Sequence, residues 1–571
     1  MQLSLLRSAP ASSARTRASR VRAAHFAACA ALVLSGGAPA LAQETSMHAL
    51  QLEKLLGSDP AAGDYFGFAV SIDGERALVG APHDSEFALE AGAAYVFERQ
   101  PSGHWIQTAK LQASDGAAYH YFGRALSLSR DHALIGAYSH DGVGPSPGPT
   151  PDSGAAYVFE CENGRWSETA RLLAPAPAAG DNFGFAVSIY SDHALVGAPR
   201  DDASGNNAGA AYAYRRTSSG WQHASTLHAS NGAAGDRFGF SVAVHNQRGL
   251  VGALGHAHYG AYSGAAYLFQ RDELGEWLEH SILLPSDGEP GEQFGRAIAL
   301  TDATIAVGAP VANHVDESSG AVYVYERQID GAWPQVARLT VADAAADDKL
   351  GNALALAPSG QRLLAGAEGT ASASGAAHVF ERPPGGVWTL AQSLQADDAE
   401  AGDIFGFTVS LGSHYCVVGA WKNDDHGSLS GSAYTYDLTP WEAAPAELSL
   451  QAGGAQDWSL SAGVQHAGSI VLVLGSALGT EGGVQFGNGF TLPLAPDDYF
   501  ALTLAQPNGG PWGNSFALLP TGGEYVGRFE LPAATNPNLA GLVLHHAAVL
   551  IDPEQFEVVY VSPPASLTLL P

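Results

Sequence analysis

"DYFGFAVSIDGERALVGAP" spans residues 64–82, and "DNFGFAVSIYSDHALVGAP" restates it at 181–199. Five looser copies complete a series of seven. The position of the FG phenylalanine recurs at Phe66, Phe122, Phe183, Phe238, Phe294, Leu350 and Phe405, in steps of 55, 56 or, once, 61 residues. A GAP-like turn follows at Gly80, Gly136, Gly197, Gly252, Gly308, Gly366 and Gly419, 14 residues later in six copies and 16 in the other. A third anchor opens "GAAYVF" or its variants at Gly92, Gly154, Gly209, Gly264, Gly320, Gly375 and Gly431. A fourth is Trp105, Trp166, Trp221, Trp277, Trp333 and Trp388, each 17 residues before the next FG position. Between anchors, "FAVSI", "ALVGA" and "AYVFE" alternate at period two, the pattern of half-buried strands.

One repeat is therefore read as four short antiparallel strands without a helix. Such a sheet has two apolar faces and cannot bury both alone, so copies must stack and the ring must close. Seven four-stranded units predict an all-β, seven-bladed propeller, with each FG phenylalanine wedged between blades at the start of the innermost strand. The seventh copy lacks a fourth strand in register, whereas "MHALQLEKLLGSD" matches "WIQTAKLQASD" at 105–115. An N-terminal strand over about 48–57 is expected to complete the last blade and latch the ring.

Composition agrees with short strands rather than long polar helices. Of 571 residues, 68 are Gly and only 15% are charged. Acids outnumber Lys and Arg by 57 to 27, which excludes a basic nucleic-acid footprint. Residues 1–42 read as a cleaved signal peptide. Five arginines precede "AAHFAACAALVLSGGAPALA", which ends in the small-x-small triplet Ala40-Leu41-Ala42. "FAAC" at 26–29 is a poor lipoprotein box because the apolar run continues past it. Removal of 1–42 takes the net charge from −30 to −35 and leaves two cysteines, Cys161 and Cys416. The mature chain is expected to be exported to the cell surface, the extracellular space or the periplasm. It should carry no membrane span and no disulfide scaffold, and should be monomeric. Residues 43–438 form the propeller region, 439–445 a linker, and 446–571 a β-sandwich-like domain, read from segments such as "DWSLSAG", "SIVLVLGSA" and "LVLHHAAVLI".

The motif set "YFGFAVSI…ALVGAP…GAAYVFER" resembles the FG-GAP repeat of integrin α-chain propellers and their bacterial secreted relatives, over about residues 48–438. The resemblance implies a propeller used for recognition outside the cell. Calcium-binding members carry a D-x-D-x-D-G-type loop before the "LVGAP" strand. The corresponding turns here, such as "SIDGERALVGAP" and "SIYSDHALVGAP", have none. A different acidic pattern lies seven and two residues before the FG position: Asp59/Asp64, Asp287/Glu292, Asp343/Asp348 and Asp398/Asp403. These are the candidate calcium ligands, and calcium is the only cofactor the sequence leaves open. The competing role for the same residues is turn formation.

No H-E-x-x-H, G-x-S-x-G, P-loop or paired C-x-x-C is present. His83, His140, His256, His258, His314 and His426 lie in loops at unequal offsets and are expected to be solvated. Cys416 reads as a packing thiol, and His545 and His546 should face opposite sides of a strand. The loops after the second anchor differ most between copies ("HDSEFALEA", "RDDASGNNA", "VANHVDESS", "KNDDHGSLS"), and their face is where a ligand is sought. The sequence thus leads to a non-enzymatic, exported recognition or scaffold protein for an extracellular protein or glycan. The alternatives are a propeller hydrolase or lyase acting on polysaccharide, and a structural cation-binding envelope component.

Overall fold

The computed structural model describes residues 49–570, apart from 101–102, 144–148, 384, 439–440, 445–446, 463–465, 467, 478–483, 486–490, 493, 495–498, 500–502, 504–511, 514, 521–523, 532–538, 541, 554–557 and 563–564. Residues 1–42, which the sequence reads as a signal peptide, lie outside the described residues. The chain divides into two compact units, Gln51–Thr439 and the C-terminal part from Pro440, the latter grouped with residues up to Leu50.

In the first unit, each copy of the motif builds one antiparallel four-stranded sheet, and there are seven. Blade 1 runs Ala69–Asp73, Arg76–Ala81, Ala93–Arg99 and Trp105–Leu111, in sequence order across the sheet. The first strand of every blade packs against the first strands of both neighbours, from blade 1 round to blade 7 and back, so these strands surround the central channel. Blade 7 takes Thr408–Leu411, Tyr415–Ala420 and Ser432–Asp437 from the end of the series, and its fourth strand is Leu50–Leu55. Leu55 is buried among Phe66, Tyr95, Trp105 and Val417, so this strand holds both blade 7 and blade 1.

The anchors explain themselves at the blade junctions. Phe122 is 1% exposed and meets Tyr157 and Phe159 of its own blade edge-on, within a cluster that includes Leu78, Val96 and Leu111 of blade 1. Its N–H donates to Ala91 O at 2.9 Å, and it pairs with Gly92 as a parallel bridge; the same bridge recurs at all seven junctions. Gly123, with φ +93°, lies so near the preceding blade that a Cβ there would overlap the Ala93 carbonyl oxygen. Hence the invariant small residues at this seam: the backbones touch where side chains would have stood. The Ser of "VSI" adds a second stitch. Ser71, Ser127, Ser188 and Ser410 each accept the N–H of the next blade's first strand, from Leu128, Ile189, Val244 and Ile72 respectively, at 2.9–3.0 Å.

Among the described residues, the second unit has two larger sheets beside the short pair Val484–Gln485 and Thr491–Leu492. One joins Trp441–Ala444, Gly454–Ser461, Glu524–Leu531 and Trp512–Gly513. The other is built round Val543–Ile551 and Ile470–Ser476, with Ala565–Leu570, Phe516–Leu518, Val558–Val561 and the parallel Glu447–Ser449. Trp458, Leu460 and Phe529 of the first pack on Val471, Leu544, Leu550 and Leu567 of the second in one core. A second core with Leu472, Val549 and Leu494 covers the other face of the larger sheet. The segment expected to be a linker, 439–445, contains a strand, Trp441–Ala444, paired with Gly454–Ser461. His546 is fully buried and hydrogen-bonds Tyr499 Oη at 2.8 Å, while His545 faces the other way toward Ser566.

Candidate functional site

Seven side chains meet in the channel where the first strands begin. They occupy the second position after each FG phenylalanine: Phe68, Arg124, Phe185, Phe240, Arg296, Asn352 and Phe407. Each touches the next around the ring. Phe407 and Phe68 have ring centroids 5.0 Å apart, as do Phe185 and Phe240. The Arg124 guanidinium lies 5.7 Å from the Phe68 ring centre and 3.7 Å from that of Phe185, and Arg296 lies 5.8 Å from Phe240. Arg296 Nε donates to Asn352 Oδ1 at 2.8 Å, and Asn352 Nδ2 donates to the Phe407 carbonyl at 3.2 Å. The result is a closed collar around the axis.

Above the collar, on the side of the variable loops, lies an arc of partly exposed rings. Trp421 and Tyr65 are 4.5 Å apart, Tyr65 and His83 4.0 Å, and His83 and Tyr121 5.0 Å. Tyr121 stacks on Tyr138 at 5.5 Å, and Tyr138 meets Phe185 of the collar. Phe68 and Phe407 both pack against Trp421. Burial, with a hydrogen bond to Glu90, pushes the Tyr121 hydroxyl up to about 12, and burial also lowers His83 against the opposing pull of Glu90. Both are therefore neutral near pH 7.

The backbone that presents these rings is unusual. The residue before each FG position has a left-handed φ of 51–59° in every blade: Tyr65, Tyr121, Asn182, Arg237, Gln293, Lys349 and Ile404. Each donates its N–H to a residue of the preceding blade's loop that is left-handed as well, as Tyr121 does to Glu90 and Gln293 to Tyr262. Such a conformation costs an ordinary residue roughly 1–2 kcal/mol. Because all seven blades share it, it belongs to the junction and not to one strained site. Glycine and asparagine are the sequence signals for this geometry, and only Asn182 supplied one.

The opposite end of the channel holds a cavity of roughly 1010 Å³ lined by residues of all seven blades, from Asp73 and Arg130 through His193, His245 and Asp302 to Leu411. Its carboxylates are engaged. Asp302 accepts from Asn246 at 2.7 Å and Arg248 at 3.1 Å, Asp192 lies 2.7 Å from His193, and Asp73 accepts the Arg130 N–H at 2.6 Å.

The candidate calcium ligands separate into two kinds. Those two residues before the FG position fold back on their own turn. Asp64 accepts the Ala61 N–H at 2.8 Å, Glu292 that of Glu289 at 3.0 Å, Asp348 that of Ala345 at 2.8 Å and Asp403 that of Glu400 at 3.0 Å. Asp181 and Asp236 repeat the bond, and His120 makes it with Nδ1. Burial pushes Asp64 and Asp181 up to about 6 despite those bonds, and raises Glu292 likewise. Those seven before the FG position are exposed, and three of the four are tied to a neighbouring strand. Asp59 receives Tyr95 Oη at 3.0 Å and Lys110 Nζ at 2.6 Å, Asp287 pairs with Arg338, and Asp398 receives Lys54 at 2.7 Å. Partial burial would raise Asp59 and Asp398, but these donors hold both below the usual range. Asp343 lies exposed in the equivalent turn. No group of three or more His, Cys, Asp or Glu placed to hold a metal occurs among the described residues.

The loop histidines are not uniformly solvated. His258 and His426 are exposed, but His140 and His256 are buried at equivalent positions, against Asp115 at 3.3 Å and Asp236 at 3.1 Å. Asp84, Asp201 and Asn423 stand at the same place in other blades and are buried too. A polar residue there accepts or donates inside the first turn of the loop, which the unequal loop lengths concealed. Cys416 is buried, and burial pushes its thiol well above the ordinary value; Cys161 is half-buried, and both are free.

Compared with protein-family models, the chain matches the FG-GAP repeat seven times, over residues 50–97, 105–159, 166–214, 221–269, 277–325, 333–380 and 388–436. Among solved structures it is similar to the crystal structure of RRP9 WD40 repeats, at 7% identity and a TM-score of 0.43, covering 68% of this chain and 99% of that one. A search of curated proteins finds no match.

Proposed function

The chain belongs to the FG-GAP repeat family, and on that premise we propose that it is an exported recognition protein that binds a glycan at the loop-side mouth of its propeller channel. The observation that carries this reading is the arc Trp421, Tyr65, His83, Tyr121 and Tyr138, whose rings are partly exposed and in mutual contact. Isolated surface aromatics are ordinary, but a continuous arc of them in contact is the kind of surface that supports a binding role. Rings of this kind suit the apolar faces of sugars, with Tyr hydroxyls at hand for their polar edges.

Binding rather than catalysis is favoured by the state of the channel's carboxylates. Asp73, Asp192 and Asp302 each have a donor, and glycoside hydrolysis needs two carboxyl groups roughly 5–10 Å apart acting on one bond. The reading is tested by screening the protein against an array of polysaccharides and oligosaccharides, beside the variants Trp421→Ala and Tyr121→Ala. Wild type should retain a defined set of glycans, and each variant should lose them while keeping its melting temperature within a few degrees. Retention of binding by both variants would remove the arc from the function, and turnover of a bound glycan would replace recognition with catalysis.

A further inference from the structure

Arg124 is a cation without an anion. The protein has more than twice as many acids as Lys and Arg, and several of its shielded arginines pair with one: Arg76 with Glu98, Arg248 with Asp302, Arg362 with Glu381 and Arg382 with Glu326. Arg124 has no carboxylate partner among the described residues. Its guanidinium donates one bond, from Nη1 to the Phe185 carbonyl at 2.9 Å. It is otherwise bounded by the rings of Phe185, Phe68 and Tyr138, at 3.7, 5.7 and 5.2 Å. Burial, with Arg296 adding to it, lowers Arg124 to about 10, so the group is still charged at neutral pH. Cation–π contacts return less than withdrawing a charge from water costs. Across the collar, Arg296 is turned toward Asn352, whose Nδ2 donates to Glu368. The like charge of Arg296 acts on Arg124 with no carboxylate among the described residues to offset it, in a strongly acidic molecule.

We propose that Arg124 is the anchor for a carboxylate on the ligand, so that the glycan taken by the aromatic arc is an acidic one containing uronic acid. This rests on the glycan reading above. Phe185 and Tyr138 belong to both features: they flank the guanidinium and continue the arc. A sugar ring seated on the arc over Tyr138 thus places its substituents beside Arg124. A guanidinium offers a paired set of donors that fits a carboxylate and not a neutral hydroxymethyl group.

The probes are oligogalacturonate and oligoalginate, each with its carboxyl-reduced neutral counterpart, titrated by calorimetry into wild type, Arg124→Gln, Arg124→Lys and Trp421→Ala. The uronates are expected to bind wild type, with affinity falling as salt rises. Carboxyl reduction and Arg124→Gln should each weaken binding at least tenfold, and Arg124→Lys should weaken it less. Arg124→Gln should leave any affinity for the reduced sugars unchanged, which a folding defect would not do. If acid and reduced sugars bind wild type equally and Arg124→Gln changes neither, the carboxylate subsite is overturned and the glycan reading stands. If Arg124→Gln abolishes uronate binding while Trp421→Ala leaves it intact, the subsite stands and the arc's role falls. Failure of both uronates to bind, or binding of a glutamate-rich peptide in their place, overturns the proposal.

Discussion

Two glycines four residues apart separate the two reasons a glycine can be required. Gly180 has φ +85° and Gly184 has φ +88°, and both sit at the junction of blades 2 and 3. A Cβ on Gly180 meets nothing within 4 Å. On Gly184 it would overlap the Ala155 carbonyl oxygen of the neighbouring blade, with the carbonyl carbon at 3.1 Å and the Ala137 nitrogen at 3.3 Å. Gly180→Ala therefore carries only the left-handed strain, about 1–2 kcal/mol. Gly184→Ala carries that strain plus an overpacking of about 1–3 kcal/mol, because the obstacle is backbone and cannot rotate aside. Relief by separating the blades would stretch the bonds from Phe183 N to Ser153 O and from Asn182 N to Asp152 O, at 3.0 and 3.1 Å, at about 1 kcal/mol each. The expected costs are thus about 1–2 kcal/mol for Gly180→Ala and about 4–7 kcal/mol for Gly184→Ala. Urea denaturation followed by tryptophan fluorescence measures both. Equal losses, within about 0.5 kcal/mol, would show that φ alone selects these glycines and that close blade approach does not.

The latch strand gives a second expectation. Leu55→Ala should cost about 3 kcal/mol in the same denaturation assay, against less than about 0.5 kcal/mol for the half-exposed Ile106→Ala; a loss below about 1 kcal/mol at Leu55 would mean that the strand does not secure the ring. In the C-terminal unit, burial lowers His546 from 6.5 to about 3. The stability linked to its neutral ring is then fully present above pH 6.5 and is lost as pH falls toward 3, on the order of 5 kcal/mol. Hydrogen exchange in Val543–Ile551 should accelerate over that range in wild type and respond less steeply in His546→Gln, and equal responses would refute the assignment. Finally, the acids at the repeated turns already hold backbone N–H groups, Lys, Arg and Tyr. EDTA and millimolar calcium should therefore leave the melting temperature unchanged, whereas a saturable, calcium-specific rise would make Asp59 and Asp64 ligands after all.

The blades were legible because each copy repeats the same local rules. Period-two alternation gives the strands, and the anchors give the seams. The offset between sequence repeat and blade explains why the chain begins its series with a strand that ends the ring: the family match starts at residue 50, one strand ahead of blade 1. The collar was not legible. Phe68, Arg124 and Asn352 are unremarkable one at a time, and only ring closure brings residues some 55 positions apart into contact. The left-handed knuckles escaped notice for a different reason. Tyr65, Gln293 and Ile404 carry no glycine signal, because the bonds across the blade junction impose the conformation. The strand at Trp441–Ala444 was hidden by flanking prolines that read as a linker.

Sevenfold backbone with unequal side chains is what lets this scaffold carry one site. The collar position is aromatic in blades 7, 1, 3 and 4, with Arg124 set among those rings in blade 2. In blades 5 and 6 the same position is Arg296 and Asn352, and the residues before their FG positions are Gln293 and Lys349. One side of the collar is thus aromatic around Arg124, and the other is polar and internally paired, through Arg296 to Asn352 and Lys349 to Glu368. A ligand entering along the axis meets a direction as well as a hole. Evenly spread aromatics would have bound sugars in seven equivalent poses. On the proposed glycan reading, concentrating them beside Arg124 favours a pose in which stacking and charge are satisfied together, so selectivity is the expectation at this face rather than general adhesion.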